Sequence, residues 1–285
     1  MSNYRRQWAS IGPPFSTFSA GYDKQFYVRN ENFSGGFLFI NDKSGIIGLT
    51  ANKIYISGSY HKKIEKHTFS FGVQGGYTIK SINPDATFPE QFDMETGYFN
   101  SSLNSGENFT NEKTGYFDLN VGTNWGAKLG KFYPQIGISL FHLTQPNETF
   151  YGKDNPLPIR KAFHTSVKYN LNKQVFLYPN LLIMTHNNVS EIVSGGNIGY
   201  NFPNHTAIST VFVGGIVRDG FNRNTDAIGV IVGMMYKKFE IGFSYDFNTS
   251  ELEGATQNKG GFEISLIYTD LIPVLDKICV PCERF

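Results

Sequence analysis

The chain has 285 residues, a net charge of +1 and 40% hydrophobic residues. The near-neutral charge removes the electrostatic case for nucleic-acid binding. No apolar run reaches the roughly 18 residues of a spanning helix, which removes a helical membrane protein.

What remains is a pattern of period two. Strands are expected over residues 2–8, 13–26, 33–43, 46–61 and 65–80, then 113–130, 131–144, 158–172, 174–187 and 189–202, and finally 205–218, 225–237, 239–249 and 258–269. In the fifth, Phe69, Phe71, Val73, Tyr77 and Ile79 alternate with Ser70, Gly72, Gln74, Gly76 and Thr78. In the sixth, Phe117, Leu119, Val121, Thr123, Trp125, Ala127 and Leu129 alternate with Tyr116, Asp118, Asn120, Gly122, Asn124, Gly126 and Lys128. The last two repeat it, with Phe239, Ile241, Phe243, Tyr245 and Phe247, then Phe262, Ile264, Leu266 and Tyr268. Successive side chains of a strand point to opposite faces.

A soluble β-sandwich also alternates, but its strands average about 5–6 residues. These are about twice that, long enough to cross a bilayer at a tilt. Their polar face is mostly Gly, Ser, Asn and Thr, which suits a crowded lumen. The 16 Tyr and 26 Phe suit interfacial girdles. The expected fold is all-β: a transmembrane antiparallel β-barrel of about 14 strands with long extracellular loops. One domain over 1–270 is expected, with a short periplasmic C-terminal tail over 271–285.

The connections are expected to switch strictly between short and long. Those at 61–65, 129–131, 171–174, 202–205 and 236–238 are tight, and 27–32 is slightly longer. The other parity contains the long ones at 81–112, 145–157, 219–225 and 250–257. Bacterial barrels keep short turns in the periplasm, so this parity predicts periplasmic N- and C-termini. An outer-membrane chain needs a cleavable leader, and none is visible after Met1; a leader upstream of this start, or a truncated start, is expected. Glycine pairs inside strands, such as Gly195-Gly196 and Gly260-Gly261, predict bulges, bends or close backbone approach.

Motifs for chemistry are missing. The histidines at 61, 67, 142, 164, 186 and 205 form no ligand spacing, and no GxSxG or phosphate-binding glycine loop occurs. No enzyme, cofactor or metal is expected. Cys279 and Cys282 are the only cysteines, and they lack both the βαβ context of a redox pair and the four ligands of a zinc site. A local disulfide or two bystander thiols remain. The charges on inward faces are read as isolated: Lys80, Asp118, Lys128, Lys168, Glu240, Asp246 and Glu263.

The long loop 82–112 mixes acids with rings. Phe88, Glu90, Phe92, Asp93, Glu95, Tyr98 and Phe99 are the candidate partner-binding residues, with rings for contact area and carboxylates for specificity. A loop without fixed structure is the alternative. The tail residues Cys279, Pro281, Cys282, Arg284 and Phe285 are the candidate periplasmic docking or plug element.

Several runs are similar to one family. They are Tyr4-Arg5-Arg6-Gln7-Trp8 followed by Gly12-Pro13-Pro14-Phe15-Ser16-Thr17, then Ile40-Asn41-Asp42-Lys43-Ser44-Gly45-Ile46-Ile47-Gly48. Phe243 to Leu252, Gly260 to Leu266 and the ending Pro281-Cys282-Glu283-Arg284-Phe285 complete them. In order and spacing the chain resembles the PorP/SprF family of type IX secretion membrane proteins of Bacteroidota. It departs from that pattern at the start, where members carry a signal peptide and runs like Asp-Pro-Gln-Phe-Ser and Asn-Pro-Ala. The resemblance implies a non-enzymatic accessory barrel of the type IX secretion and gliding machinery in the outer membrane. Its implied partners are the C-terminal domain of a large secreted surface adhesin, other secretion and envelope components, and the lipid bilayer. A porin-like or substrate-selective channel is the alternative, since about fourteen strands can enclose a lumen.

Overall fold

The computed structural model describes residues 1–9, 12–45, 48–83, 88–100, 102–107, 109, 111–152, 154–203, 207–220, 225–250, 253–256 and 259–270. Cys279, Pro281, Cys282, Arg284 and Phe285, and with them the whole expected tail, lie outside the described residues.

The first five strands are β1 (Ser2–Gln7), β2 (Phe15–Val28), β3 (Glu31–Ser44), β4 (Leu49–Ile64) and β5 (His67–Ser81). A small hairpin follows, β6 (Phe92–Asp93) with β7 (Tyr98–Phe99). Then come β8 (Lys113–Ala127), β9 (Phe132–Phe141), β10 (Arg160–Asn170), β11 (Val175–His186) and β12 (Val189–Asn201). The last four are β13 (Ile208–Gly220), β14 (Thr225–Tyr236), β15 (Phe239–Asn248) and β16 (Lys259–Tyr268). All but β6 and β7 form one closed antiparallel barrel, with β1 paired to β2 on one side and to β16 on the other.

Closure follows from backbone chemistry. A spanning strand has no water to satisfy its N–H and C=O groups, so the sheet must leave no free edge. The apolar parity then faces out: Phe117 is 75% and Ile56 70% exposed in the isolated chain, whereas Asp118 is 3% exposed. Rings gather at the short-turn rim, with Phe33 against both Phe26 and Tyr60, Phe132 stacked on Tyr169 at 4.5 Å, and Phe239 beside Tyr268. This is the ring girdle that the composition suggests.

The inward parity is tightly fitted. The Tyr55 ring lies over Gly76, where a Cβ would sit 2.1 Å from a ring carbon, so only glycine leaves room. Gly260 is the extra residue of a β-bulge, since Asp246 pairs with Gly261 and Phe247 with Lys259. One stretch of wall is apolar, contrary to the polar lumen expected: Ala162, Leu182, Val193 and Ile216 cluster there with Phe141, Met184 and Ile231.

All fourteen expected barrel strands are present, with shifted ends. Arg29 and Asn30 both have positive φ (48° and 68°), making a two-residue turn of the kind that suits strand twist, so β2 ends two residues later and β3 starts two residues earlier than predicted. His142, with φ 61°, ends β9 earlier than expected, and its N–H is satisfied by the Asn120 side chain. The strict short–long alternation is corrected. Residues 187–188 at the long-loop end form a two-residue turn that begins at Asn187 with φ 55°. The β6–β7 hairpin, the 3-10 turn Pro89–Gln91 and the four-residue helix α1 (Glu253–Thr256) were not foreseen.

The seam rests on six paired positions, because β1, with six residues, is the shortest strand of the barrel. It is held by side chains as well as backbone. Glu263 on β16 accepts from Arg5 at 2.8 Å and from Asn3 at 2.6 Å, both on β1. Glu263→Ala should therefore lower unfolding stability by about 2–3 kcal/mol, the scale of charge-assisted bonds. The check is urea unfolding in detergent; an unchanged midpoint would remove the seam role.

Candidate functional site at the long-loop end

Two loops rise from the same end of the barrel, residues 82–112 and 142–159. The described part of the first is packed around one side chain, Gln91, which is buried. Its side-chain oxygen accepts from the Phe88 N–H at 3.0 Å, its amide donates to the Leu103 carbonyl at 3.1 Å, and its own carbonyl accepts from Asn100 N–H at 2.8 Å. These bonds fix the base of the β6–β7 hairpin.

Asp93 shapes the hairpin tip. Its carboxylate accepts from the N–H groups of Glu95 at 2.9 Å and Thr96 at 3.4 Å, and Gly97 supplies the positive φ that closes the turn. Those donors, Glu95 first, hold the Asp93 carboxyl below the usual carboxylate range. Phe92 and Phe99 meet edge to face at 5.3 Å across the two strands. Met94 (90%) and Tyr98 (77%) stand out into solvent.

The candidate binding residues thus divide. Phe92, Asp93, Tyr98 and Phe99 come together on the hairpin, with Glu95 exposed in its turn. Phe88 instead turns toward Phe109 in a cluster that includes Phe150 and Tyr151 of the second loop. Glu90 lies back toward Gly106. Tyr151 also donates to Glu107 at 2.6 Å, and this bond raises its hydroxyl pKa. The described residues of the two loops therefore pack into one layer.

That layer is tied into the lumen. Glu148 of the second loop pairs with Lys80 on β5 and accepts from the Tyr116 hydroxyl on β8 at 2.8 Å. His142, at the start of the same loop, bonds Asp118 on β8 at 2.9 Å and lies 6.3 Å, ring to ring, from His186. Across the barrel, Asp246 on β15 takes Arg5 at 2.6 Å and lies 3.4 Å from Arg218 on β13. Most of the inward charges read as isolated are therefore partnered. Lys80, Asp118, Asp246 and Glu263 have charged or imidazole partners, and Lys168 stands over the Phe176 ring at 4.3 Å. Lys128 lies in a turn beside Tyr133.

Sequence reasoning missed Glu148, His142, Arg5 and Arg218. The parity of Arg5 and Arg218 along β1 and β13 was the available signal. Glu148 had none, because its partners lie 68 and 32 residues away. No group of three metal-ligating side chains occurs among the described residues. His205 lies outside the described residues.

Glu148→Gln should free the second loop from the barrel and leave the largely covered Lys80 ammonium without its anion. The expected result is faster proteolysis within residues 142–159 and a loss of about 1–3 kcal/mol. Limited proteolysis of the folded protein in detergent reads it; unaltered cleavage would show that the latch does not hold the loop.

Solved structures share the barrel. A monoaromatic hydrocarbon channel, the TodX deltaS2S3 mutant, matches with a TM-score of 0.52 at 10% identity, covering 93% of this chain and 86% of that one. The deltaS2 mutant of the same channel gives 0.50 at 10% identity, covering 93% and 85%. The Ralstonia pickettii toluene transporter TbuX gives 0.48, also at 10% identity, covering 93% and 85%. At this identity the likeness to the two TodX mutants speaks for the fold alone. No curated protein matches the chain. The family model described as "Type IX secretion system membrane protein PorP/SprF" matches residues 1–268, nearly the whole chain, and on that match the chain belongs to the PorP/SprF family.

Proposed function

We propose that the protein is a non-enzymatic accessory barrel of the type IX secretion and gliding machinery. In this reading the long loops are extracellular, both termini are periplasmic, and the barrel helps to export or anchor a large surface adhesin. The observation that carries it is the packed loop layer over the charged lumen, crowned by an exposed hairpin of rings and carboxylates. Such a rigid aromatic tip offers contact area with little ordering cost. The adhesin's C-terminal domain docks on Phe92, Asp93, Tyr98 and Phe99. The tail 271–285 faces the envelope components of the machine.

The channel reading draws support from the closed barrel itself. Against it stands the pairing of inward charges, which ties the loop layer to both β5 and β8. A selective pore would leave such charges available to its solute.

Replacing residues 92–99 with a short Gly-Ser turn leaves the Gln91 scaffold and the barrel strands in place. The expected outcome is barrel protein at normal level in the outer membrane, with adhesin lost from the cell surface. Antibody labelling of intact cells measures both. Unchanged adhesin display would overturn the docking role of the hairpin.

A further inference from the structure

The outward face of the long-loop rim carries a row set by register. Arg6 pairs with Ser16, Ser16 with Lys43, Lys43 with Thr50, Thr50 with Ser81, and Ser81 with Lys113. Directly paired residues share a face. This face is the outward one, because Tyr4, Phe18, Phe37 and Phe117 have the same parity and are exposed. The row crosses β1, β2, β3, β4, β5 and β8, with one small hydroxyl between Arg6 and Lys43 and two between Lys43 and Lys113. At about 4.8 Å per strand, Arg6 and Lys43 are about 10 Å apart, and Lys43 and Lys113 about 14 Å.

Four further observations bear on it. Among the described residues none of the three cations is in an ion pair. Lys43, Thr50, Ser81 and Lys113 line a cavity of about 530 Å³, with Glu112 its one carboxylate. Tyr77 and Phe117, 4.7 Å apart, lie four residues along the strands toward the apolar band, where interfacial rings belong. The opposite arc differs in sign: Asp219 and Asp226 sit near its rim, with Lys161.

We propose that this row seats the phosphates of a phosphorylated glycolipid in the leaflet on the long-loop side. The proposal rests on the outer-membrane orientation given above. The row lies above the apolar band, so acyl chains would run down over the Tyr77 and Phe117 rings while the headgroup meets the cations. Cations spaced by two and three strands fit phosphates spread over a disaccharide. One inorganic phosphate would reach a single cation at a time.

The test uses the full-length protein in detergent micelles, with native mass spectrometry counting bound lipid. Heat-modifiable migration on gels confirms a folded barrel in each sample, so a failed barrel and a failed lipid site are told apart. Bisphosphorylated lipid A should bind at least tenfold more tightly than its dephosphorylated form. Arg6→Gln, Lys43→Gln and Lys113→Gln should each weaken it by about fivefold, the effect of one cation at a charged membrane surface. Lys161→Gln, on the opposite arc, should leave binding unchanged. Equal binding of the dephosphorylated lipid, unchanged affinity in all three variants, or full competition by millimolar inorganic phosphate would overturn the proposal.

Discussion

Everything in this molecule depends on closing the sheet between β1 and β16. A membrane-embedded edge would leave a row of backbone groups without partners, and no side chain could compensate for it. The closing strand is also the shortest of the barrel. Arg5 is therefore well placed: it bonds Glu263 across the seam and Asp246 one strand further on, and Asp246 approaches Arg218. One guanidinium thus joins closure of the fold to the charged lining of the lumen.

The same lining governs the loops. Inward-facing Lys80, Tyr116 and Asp118 are the attachment points of the second loop through Glu148 and His142. The second loop in turn supports the first through Phe109, Phe150 and Tyr151. A chain of contacts therefore runs from lumen to hairpin tip. In the proposed role, a platform built this way would present Phe92, Tyr98 and Phe99 without first having to order them.

Much of this was legible in the sequence, and the reason is the period of two. Phe117 out and Asp118 in follow from parity alone, and fourteen such segments fix a barrel. Turn positions were less legible. The pair Arg29-Asn30 carries no glycine and only Asn30 is of a type that favours positive φ, so the turn was placed loosely and the ends of β2 and β3 slid by about two residues. The hairpin residues were found through composition, but not their division. Phe88 and Phe92 look alike in sequence, yet one packs inward and the other faces solvent. Glu148 was illegible, because a loop carboxylate acquires its role only through strands far away in the chain.

The central claim is that this barrel works by holding another protein. Affinity purification of the full-length protein from gently solubilised native membranes, read by mass spectrometry, addresses it most directly. The account predicts recovery of a large surface protein through its C-terminal domain, together with secretion components. Recovery of the barrel alone, conducting ions in planar bilayers, would contradict it and favour a channel.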